Sequence, residues 1–314
     1  MSMRTTTMLA VLILAVLASA LAVGCQRGGG GGGEGGGQRI GLSISTLNNP
    51  FFISLRNGAQ KAAKDAGVEI VVADAQNDAA QQQDDVQNFV TQQVSAILVN
   101  PVDSEAIVPA VQAANQANIP VIALDRGAGG GEIATLIASD NIEGGRMAAR
   151  ELIELVGSGS IAQLEGIPGT SAARDRGQGF KEVINGQDAV QLVASQSANF
   201  DRAEALNVTQ NILQSNPDIK GIFAQNDEMA LGAVRALGDR AGSKVKIVGF
   251  DAIEDALKAI QDGRMNATVA QQPAKIGSLG VENAMKVVDG ESVKENISVE
   301  VKLVTKENVS EYLK

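Results

Sequence analysis

Short apolar runs alternating with longer, helix-patterned segments restrict this chain more than any other feature. Arg39–Ile44, Val68–Ala73, Ala96–Val99 and Val121–Leu124 read as strands. Helices fit between them: one opening at Pro50, one over Asp78–Gln93, and one over Ser104–Ala117 with Ser104 as its cap. Strands separated by helices imply a parallel sheet with right-handed crossovers. A glycine-rich break at Gly127–Gly131 follows, and apolar Ile133–Ala138 is expected to cross between domains. The pattern then restarts. Asn141–Val156 reads as a helix, Ile161–Leu164 and Val190–Ala194 as strands, and Asp201–Ser215 as a helix. Ile222–Ala224, Val245–Val248 and Ala267–Ala270 read as strands, Ile276–Val288 as a long helix, and Val299–Val304 as a final strand. A length of 314 residues suits two domains. The pattern gives two similar α/β halves rather than one large sheet.

In open α/β sheets, ligands bind beyond the carboxyl ends of the strands. Polar and aromatic residues cluster at those ends here: 48–52, 125–126, 174–176, 225–227, 250–251 and 271. The stretch Ser45–Phe52 places Asn48, Asn49, Phe51 and Phe52 where a strand ends and a helix begins. Two amides beside two rings suit a ligand that is both polar and flat-faced, such as a sugar. An Asn cap followed by two core Phe remains open from these residues alone. Phe is scarce, with seven in the chain, yet Phe51, Phe52, Phe200 and Phe250 all fall at loops or strand ends, whereas Phe223 sits mid-strand. Ring faces pack on the C–H faces of a sugar, while a polar rim holds its hydroxyls. Asp125, Arg126, Arg176 and Asp251, with the amides of Asn49, Asn226 and Gln271, supply such a rim of acceptors and donors. Taken singly, Asp125 or Arg126 reads equally as a solvated turn.

The chain has no histidine, which removes the commonest general base and imidazole metal ligation. Its net charge of −10 argues against a nucleic-acid surface. Gly157-Ser-Gly-Ser-Ile-Ala162 has dinucleotide-loop spacing but follows a helix and precedes a strand, the wrong context for that role. Asp65, Asp84 and Asp85 read as solvated helix faces. At the N-terminus, Arg4 and the apolar run Met8–Leu17 have the layout of a signal peptide. Ala22-Val23-Gly24-Cys25 is similar to a bacterial lipoprotein box ending at a lipid-bearing cysteine, although Leu21 lies one residue too far from Cys25; ordinary cleavage nearby is the alternative. Cys25 is the only cysteine, so no disulfide is expected. Residues 26–38, dominated by glycine, are expected to be a flexible linker spanning roughly 20 Å.

Longer blocks carry a specific resemblance. These are Ser45–Phe52, Ala114–Pro120, Leu124–Arg126, Ile137–Asn141, Gly169–Arg174, Phe223–Gly232 and Val248–Asp251. Over nearly all of residues 39–305, the chain resembles the bacterial periplasmic ribose-binding family. That resemblance implies two Rossmann-like α/β lobes with parallel sheets joined by three crossovers, the type I periplasmic binding fold. It places the lobes at 39–139 with 272–300 and at 140–271 with 301–314. It also implies the substrate-binding component of an ABC sugar importer: a monomer without cofactor or metal, closing by a hinge on ribose or a close monosaccharide. Carried over position by position, the sugar-holding residues are Asn49, Phe51, Phe52, Asp125, Arg126, Arg176, Phe200, Asn226, Phe250, Asp251 and Gln271. Phe51, Phe52 and Phe200 would sandwich the ring. The implied partners are an ABC permease and, optionally, a chemoreceptor, with membrane contact through the lipid anchor only. Another pentose, an allose-type hexose or a furanose signal molecule are alternative ligands. A sugar-responsive repressor would need an N-terminal helix-turn-helix where the signal and glycine run stand. A carboxylate enzyme using Asp125 or Asp251 would need a protonated acid, which Arg126 and Arg176 oppose.

Overall fold

The computed structural model describes residues 38–313. The expected signal peptide, Cys25 and almost all of the glycine linker lie outside the described residues. The chain begins β1 (Arg39–Ile44), α1 (Pro50–Ala66), β2 (Glu69–Asp74), α2 (Ala79–Thr91), β3 (Ala96–Val99), α3 (Val108–Gln116), β4 (Val121–Leu124) and β5 (Thr135–Ser139). It continues α4 (Asn141–Val156), β6 (Gly159–Glu165), α5 (Ser171–Ile184), β7 (Val190–Ser197), α6 (Arg202–Ser215), β8 (Gly221–Ala224) and α7 (Asp227–Leu237). It ends β9 (Lys246–Asp251), α8 (Glu254–Gln261), β10 (Ala267–Ala270), α9 (Pro273–Val288), β11 (Asn296–Val299) and β12 (Lys302–Thr305).

Two six-stranded sheets result. One runs β11-β5-β4-β3-β1-β2 and is parallel throughout. The other runs β12-β10-β9-β8-β6-β7, parallel except where β12 meets β10. Helices cover both faces, so β3, β4, β8 and β10 are buried at every position, as parallel sheets require. The chain passes between sheets three times: after β5, after β10, and between β11 and β12.

Six of the helix starts are fixed by side chains. Asn49, Asp78, Asp140, Thr170, Asp201 and Asn226 each accept from a backbone N–H of the turn that follows. α1 also has Pro50 in its first turn and ends at Gly67 with φ 71°, the left-handed cap that glycine adopts freely.

Four expectations need correction. Asp85 is not on a solvated helix face but buried, its Oδ1 accepting from Gln81 Nε2 at 2.8 Å. Ser104 does not cap a helix: its Oγ donates to the Gly127 carbonyl, and its N–H crosses to the Gly169 carbonyl of the other lobe. Asp103 instead accepts from the N–H groups of Glu105 and Ala106, forming a turn, and α3 starts only at Val108. Ile133–Ala138 does not cross between domains; most of it is β5, paired between β4 and β11, and the crossing follows it. The expected single strand Val299–Val304 is two strands in two sheets, with Glu300 and Val301 between them.

α1 and α9 pack closely enough that glycine is needed on both. A methyl added at Gly58 would land inside the Ala274 carbonyl, and one at Gly277 inside the Leu55 carbonyl. Alanine is favoured over glycine inside a helix by about 1 kcal/mol, whereas overpacking costs about 1–3 kcal/mol. Gly277→Ala is therefore expected to lower the unfolding free energy measured in denaturant. A gain in stability would mean that the helices can separate at no cost.

Candidate functional site

The carboxyl ends of both sheets meet at one cleft. The first lobe lines it with Asn49, Phe51 and Phe52 from the start of α1, and Asp125 and Arg126 from just after β4. The second lobe contributes Arg176 from α5, Phe200 before α6, Asn226 at the cap of α7, and Asp251 at the end of β9. Gln271 lies at the second crossover. Phe250, the remaining expected residue, does not line the cavity. It is fully buried and supports the Arg176 guanidinium, whose carbon lies 3.8 Å from its ring centroid. Ala172, which lines the cavity as well, gave no sequence signal because alanine is common on any helix.

The cap and pocket readings of the first cluster coexist. Asn49 Oδ1 accepts from the Phe51 N–H at 2.9 Å, while the residue also faces the cavity. Phe51 and Phe52 join the core beneath α1 and still line the cleft, edge to face with centroids 5.1 Å apart. Asn226 behaves alike, its Oδ1 accepting from the Met229 N–H at 2.9 Å and its Nδ2 donating to the Phe200 carbonyl at 3.3 Å.

The four charges are almost fully buried, with Asp125 and Arg176 each 3% exposed. The nearest approaches within each lobe are 3.7 Å between Arg126 Nε and Asp125, and 3.9 Å between Arg176 Nη1 and Asp251. Both are too long for good hydrogen bonds. The guanidiniums rest on rings instead: Arg126 lies 5.1 Å from the Phe52 centroid and 5.5 Å from that of Phe200. Arg126 Nη1 donates to the Pro101 carbonyl at 3.1 Å. Asp125 Oδ1, Arg126 Nε and Gln271 Oε1 are buried without a hydrogen-bond partner among the described residues. Unpaired donors and acceptors buried together are costly, and they point to a ligand that offers both.

Burial outweighs the arginines at both carboxylates, contrary to the expectation that Arg126 and Arg176 keep them from protonating. Burial pushes Asp251 up to about 7, against the pull of Arg176 and the Gln271 hydrogen bond. Burial also raises Asp125, opposed by Arg126, Arg176 and Asn100. Desolvation lowers Arg126 to about 10, so it remains charged at neutral pH. Behind Asp251, Asp227 is raised first by burial and next by the Asp251 charge; it accepts from Thr268 Oγ1 at 2.7 Å and from the Ile253 N–H at 3.0 Å.

The backbone is strained at this site. Asp125, Phe200 and Asp251 have φ of 64°, 60° and 129°. Such conformations cost on the order of 1–3 kcal/mol each in non-glycine residues. They persist here because neighbours hold them: the Asp125 N–H donates to the Ile137 carbonyl at 2.8 Å, and Asp251 accepts from Gln271 Nε2 at 2.6 Å.

Residues 40–292 match the family described as periplasmic binding protein domain. The ribose import binding protein RbsB of Bacillus subtilis is 48% identical over 267 residues, covering 85% of this chain and 87% of that protein. Its Escherichia coli namesake is 49% identical over 269 residues, covering 85% and 90%. A solved ABC transporter periplasmic solute-binding protein from Actinobacillus succinogenes, with bound D-allose, superposes with a TM-score of 0.82 at 37% identity, covering 88% of this chain and all of that one. With two α/β lobes, three crossovers and an interlobe cleft, this chain belongs to the periplasmic binding protein family.

Proposed function

We propose that this chain is the substrate-binding component of an ABC sugar importer, and that it holds a neutral monosaccharide, D-ribose first among candidates, in the interlobe cleft. The observation that carries this reading is the set of buried, unpartnered polar atoms on Asp125, Arg126 and Gln271, beside rings from both lobes. Sugar hydroxyls both donate and accept, and the C–H faces of a sugar suit Phe51, Phe52 and Phe200. With sugar hydroxyls holding Asp251 ionised, two carboxylates and two guanidiniums leave the pocket formally neutral; an anionic ligand would set a charge against one carboxylate. The named ligands of relatives add weight to ribose, and the D-allose in a structural neighbour makes a hexose the second reading.

Function here is binding with hinge closure, without turnover of the sugar. The moving bodies we assign are 39–139 with 272–300, and 140–271 with 301–314. A ligand touching both favours the closed state through its differential contacts. We further assign the chain to an exported, monomeric protein that meets an ABC permease, optionally a chemoreceptor, and the membrane only through lipidated Cys25. One acyl chain binds marginally and two hold firmly, so the modification would be multiple.

Calorimetry tests the ligand. Ribose should bind far more tightly than ribose phosphate. Arg176→Met and Asp125→Ala should each weaken ribose binding at least about tenfold, since losing a buried charge that hydrogen-bonds the ligand leaves its partner groups unpaired, at a cost of about 2–5 kcal/mol. Equal affinity for sugar and phosphate, or undiminished binding by both variants, would remove these residues from the polar rim.

The raised Asp251 gives a pH signature. Its folded value of about 7 lies above the ordinary value, so its contribution to stability is present at low pH and is lost as pH rises through about 4 to 7. Without sugar, the wild-type melting temperature should therefore fall relative to Asp251→Asn over that interval. Stabilisation by ribose should grow over the same interval, because hydroxyl donors favour the carboxylate. A flat difference across the interval would contradict the assignment.

For the anchor, the mature protein should partition into detergent, and Cys25→Ala should abolish this while sugar binding persists. A mass spectrum showing an unmodified N-terminus downstream of residue 25 would reject it.

A further inference from the structure

Arg176 sits beside Asp251 but does not form the bidentate pair that these groups favour when buried together. The closest approach is 3.9 Å, and Asp251 Oδ1 takes its short hydrogen bond, 2.6 Å, from Gln271. Two contacts hold the guanidinium elsewhere. Nη1 donates to the Gln225 carbonyl at 2.7 Å, and Nε donates to Asn141 Oδ1 at 2.8 Å. The first acceptor is backbone and offers no choice of side chain. The second is a buried amide, 4% exposed, on the first residue of α4.

The position of Asn141 is unusual. It follows Asp140, the residue at which the chain leaves β5 of the first lobe and enters the second. The Asp140 N–H donates to the carbonyl of Val299, the last residue of β11, just before the third crossover. The same first turn of α4 supports Phe250: a methyl at Gly144 would strike its ring. α4 also lies tight against α5, since a methyl at Gly145 would land on the Arg176 carbonyl. The side chain and backbone of Arg176 are thus both seated on the turn that begins at the crossover.

We infer that Asn141 is a positioning residue for ligand binding: its amide oxygen anchors Arg176 Nε, keeping the guanidinium out of a closed pair with Asp251 so that both groups stay free for ligand hydroxyls. The chemistry requires an acceptor at this position. Arginine has five N–H donors and no acceptor, so an apolar residue here would leave Nε unpaired in a dry site. The guanidinium would then turn to the nearest carboxylate, Asp251, and the two would satisfy each other. Aspartate keeps an acceptor oxygen in the same place, and its charge is favourable both to Arg176 and at the N-terminus of α4. The inference rests on the sugar-binding reading for its consequence, but not for the contact itself.

The test compares wild type, Asn141→Leu and Asn141→Asp. Ribose affinity by calorimetry should fall about tenfold or more in Asn141→Leu, as expected for loss of one charge-assisted hydrogen bond, and should be largely restored in Asn141→Asp. Wild-type affinity in the leucine variant, or equal loss in both variants, overturns the proposal. A second readout needs neither sugar nor variant: the Arg176 Nε–H nitrogen resonance of the wild-type protein should be slowly exchanging and displaced from that of a solvated arginine. An Nε–H exchanging like free arginine overturns the proposal even if the leucine variant fails to fold. Absence of ribose binding by wild type would refute the sugar reading alone, leaving the resonance to decide the role of Asn141.

Discussion

Four buried charges that do not satisfy one another set the terms for the rest of this structure. Asp125 and Arg126 come from one lobe, Arg176 and Asp251 from the other, and the cleft between the lobes holds all of them almost out of water. Effective desolvation penalties run to several kcal/mol per ion. The protein offsets part of this by other means than tight pairing. Aromatic faces lie under both guanidiniums, backbone carbonyls of Pro101 and Gln225 accept from them, and amides stand beside the carboxylates. The remainder is left as open hydrogen-bonding capacity. That capacity suits a partner that is small, neutral and rich in hydroxyls.

This economy makes the scaffold and the site inseparable. Asn49 and Asn226 start helices with one amide atom and face the cleft as residues. Phe51 and Phe52 belong to the core of the first lobe and to the cavity wall at once. Asp125, Phe200 and Asp251 carry backbone strain that only a well-packed surround can hold. A substitution at any of these positions changes folding and recognition together, so affinity measurements on such variants need a stability measurement beside them.

The fold was legible because its strands are short, apolar and bounded by turns, and because their polar ends repeat at equivalent places. Strands Arg39–Ile44, Ala96–Val99 and Val121–Leu124 lie where the apolar runs placed them. What misled was chemistry set by distant partners. Ser104 looks like a helix cap, but its N–H and Oγ are taken by Gly169 and Gly127. Val299–Val304 reads as one strand because nothing local marks a change of sheet between Val299 and Lys302. At the site, the polar and aromatic side chains facing the cleft carried a signal through their types and strand-end positions, as did Phe250 behind Arg176, whereas Ala172 did not. The polar residues standing behind them carried none of their own. Asn100, whose Nδ2 reaches Asp125 at 3.5 Å and the Leu124 carbonyl at 3.1 Å, and Asn141 behind Arg176 are ordinary polar residues until the third dimension shows what they touch.

The three crossovers have a consequence for the order in which the molecule can be made. α9 fills the space beside α1, and Ile276, Val281, Ala284 and Val299 complete the same core that holds Phe52 and Leu55. All of them follow β10 of the second lobe in the chain. A ribosome delivers residues from the N-terminus, so the first lobe to begin is not the first that can finish. Its sheet must wait, with one edge and one face uncovered, while nearly all of the other lobe is synthesised. The first lobe thus stays short of its native core until α9 and β11 emerge, and its assembly is timed by segments that follow most of the second lobe in the chain.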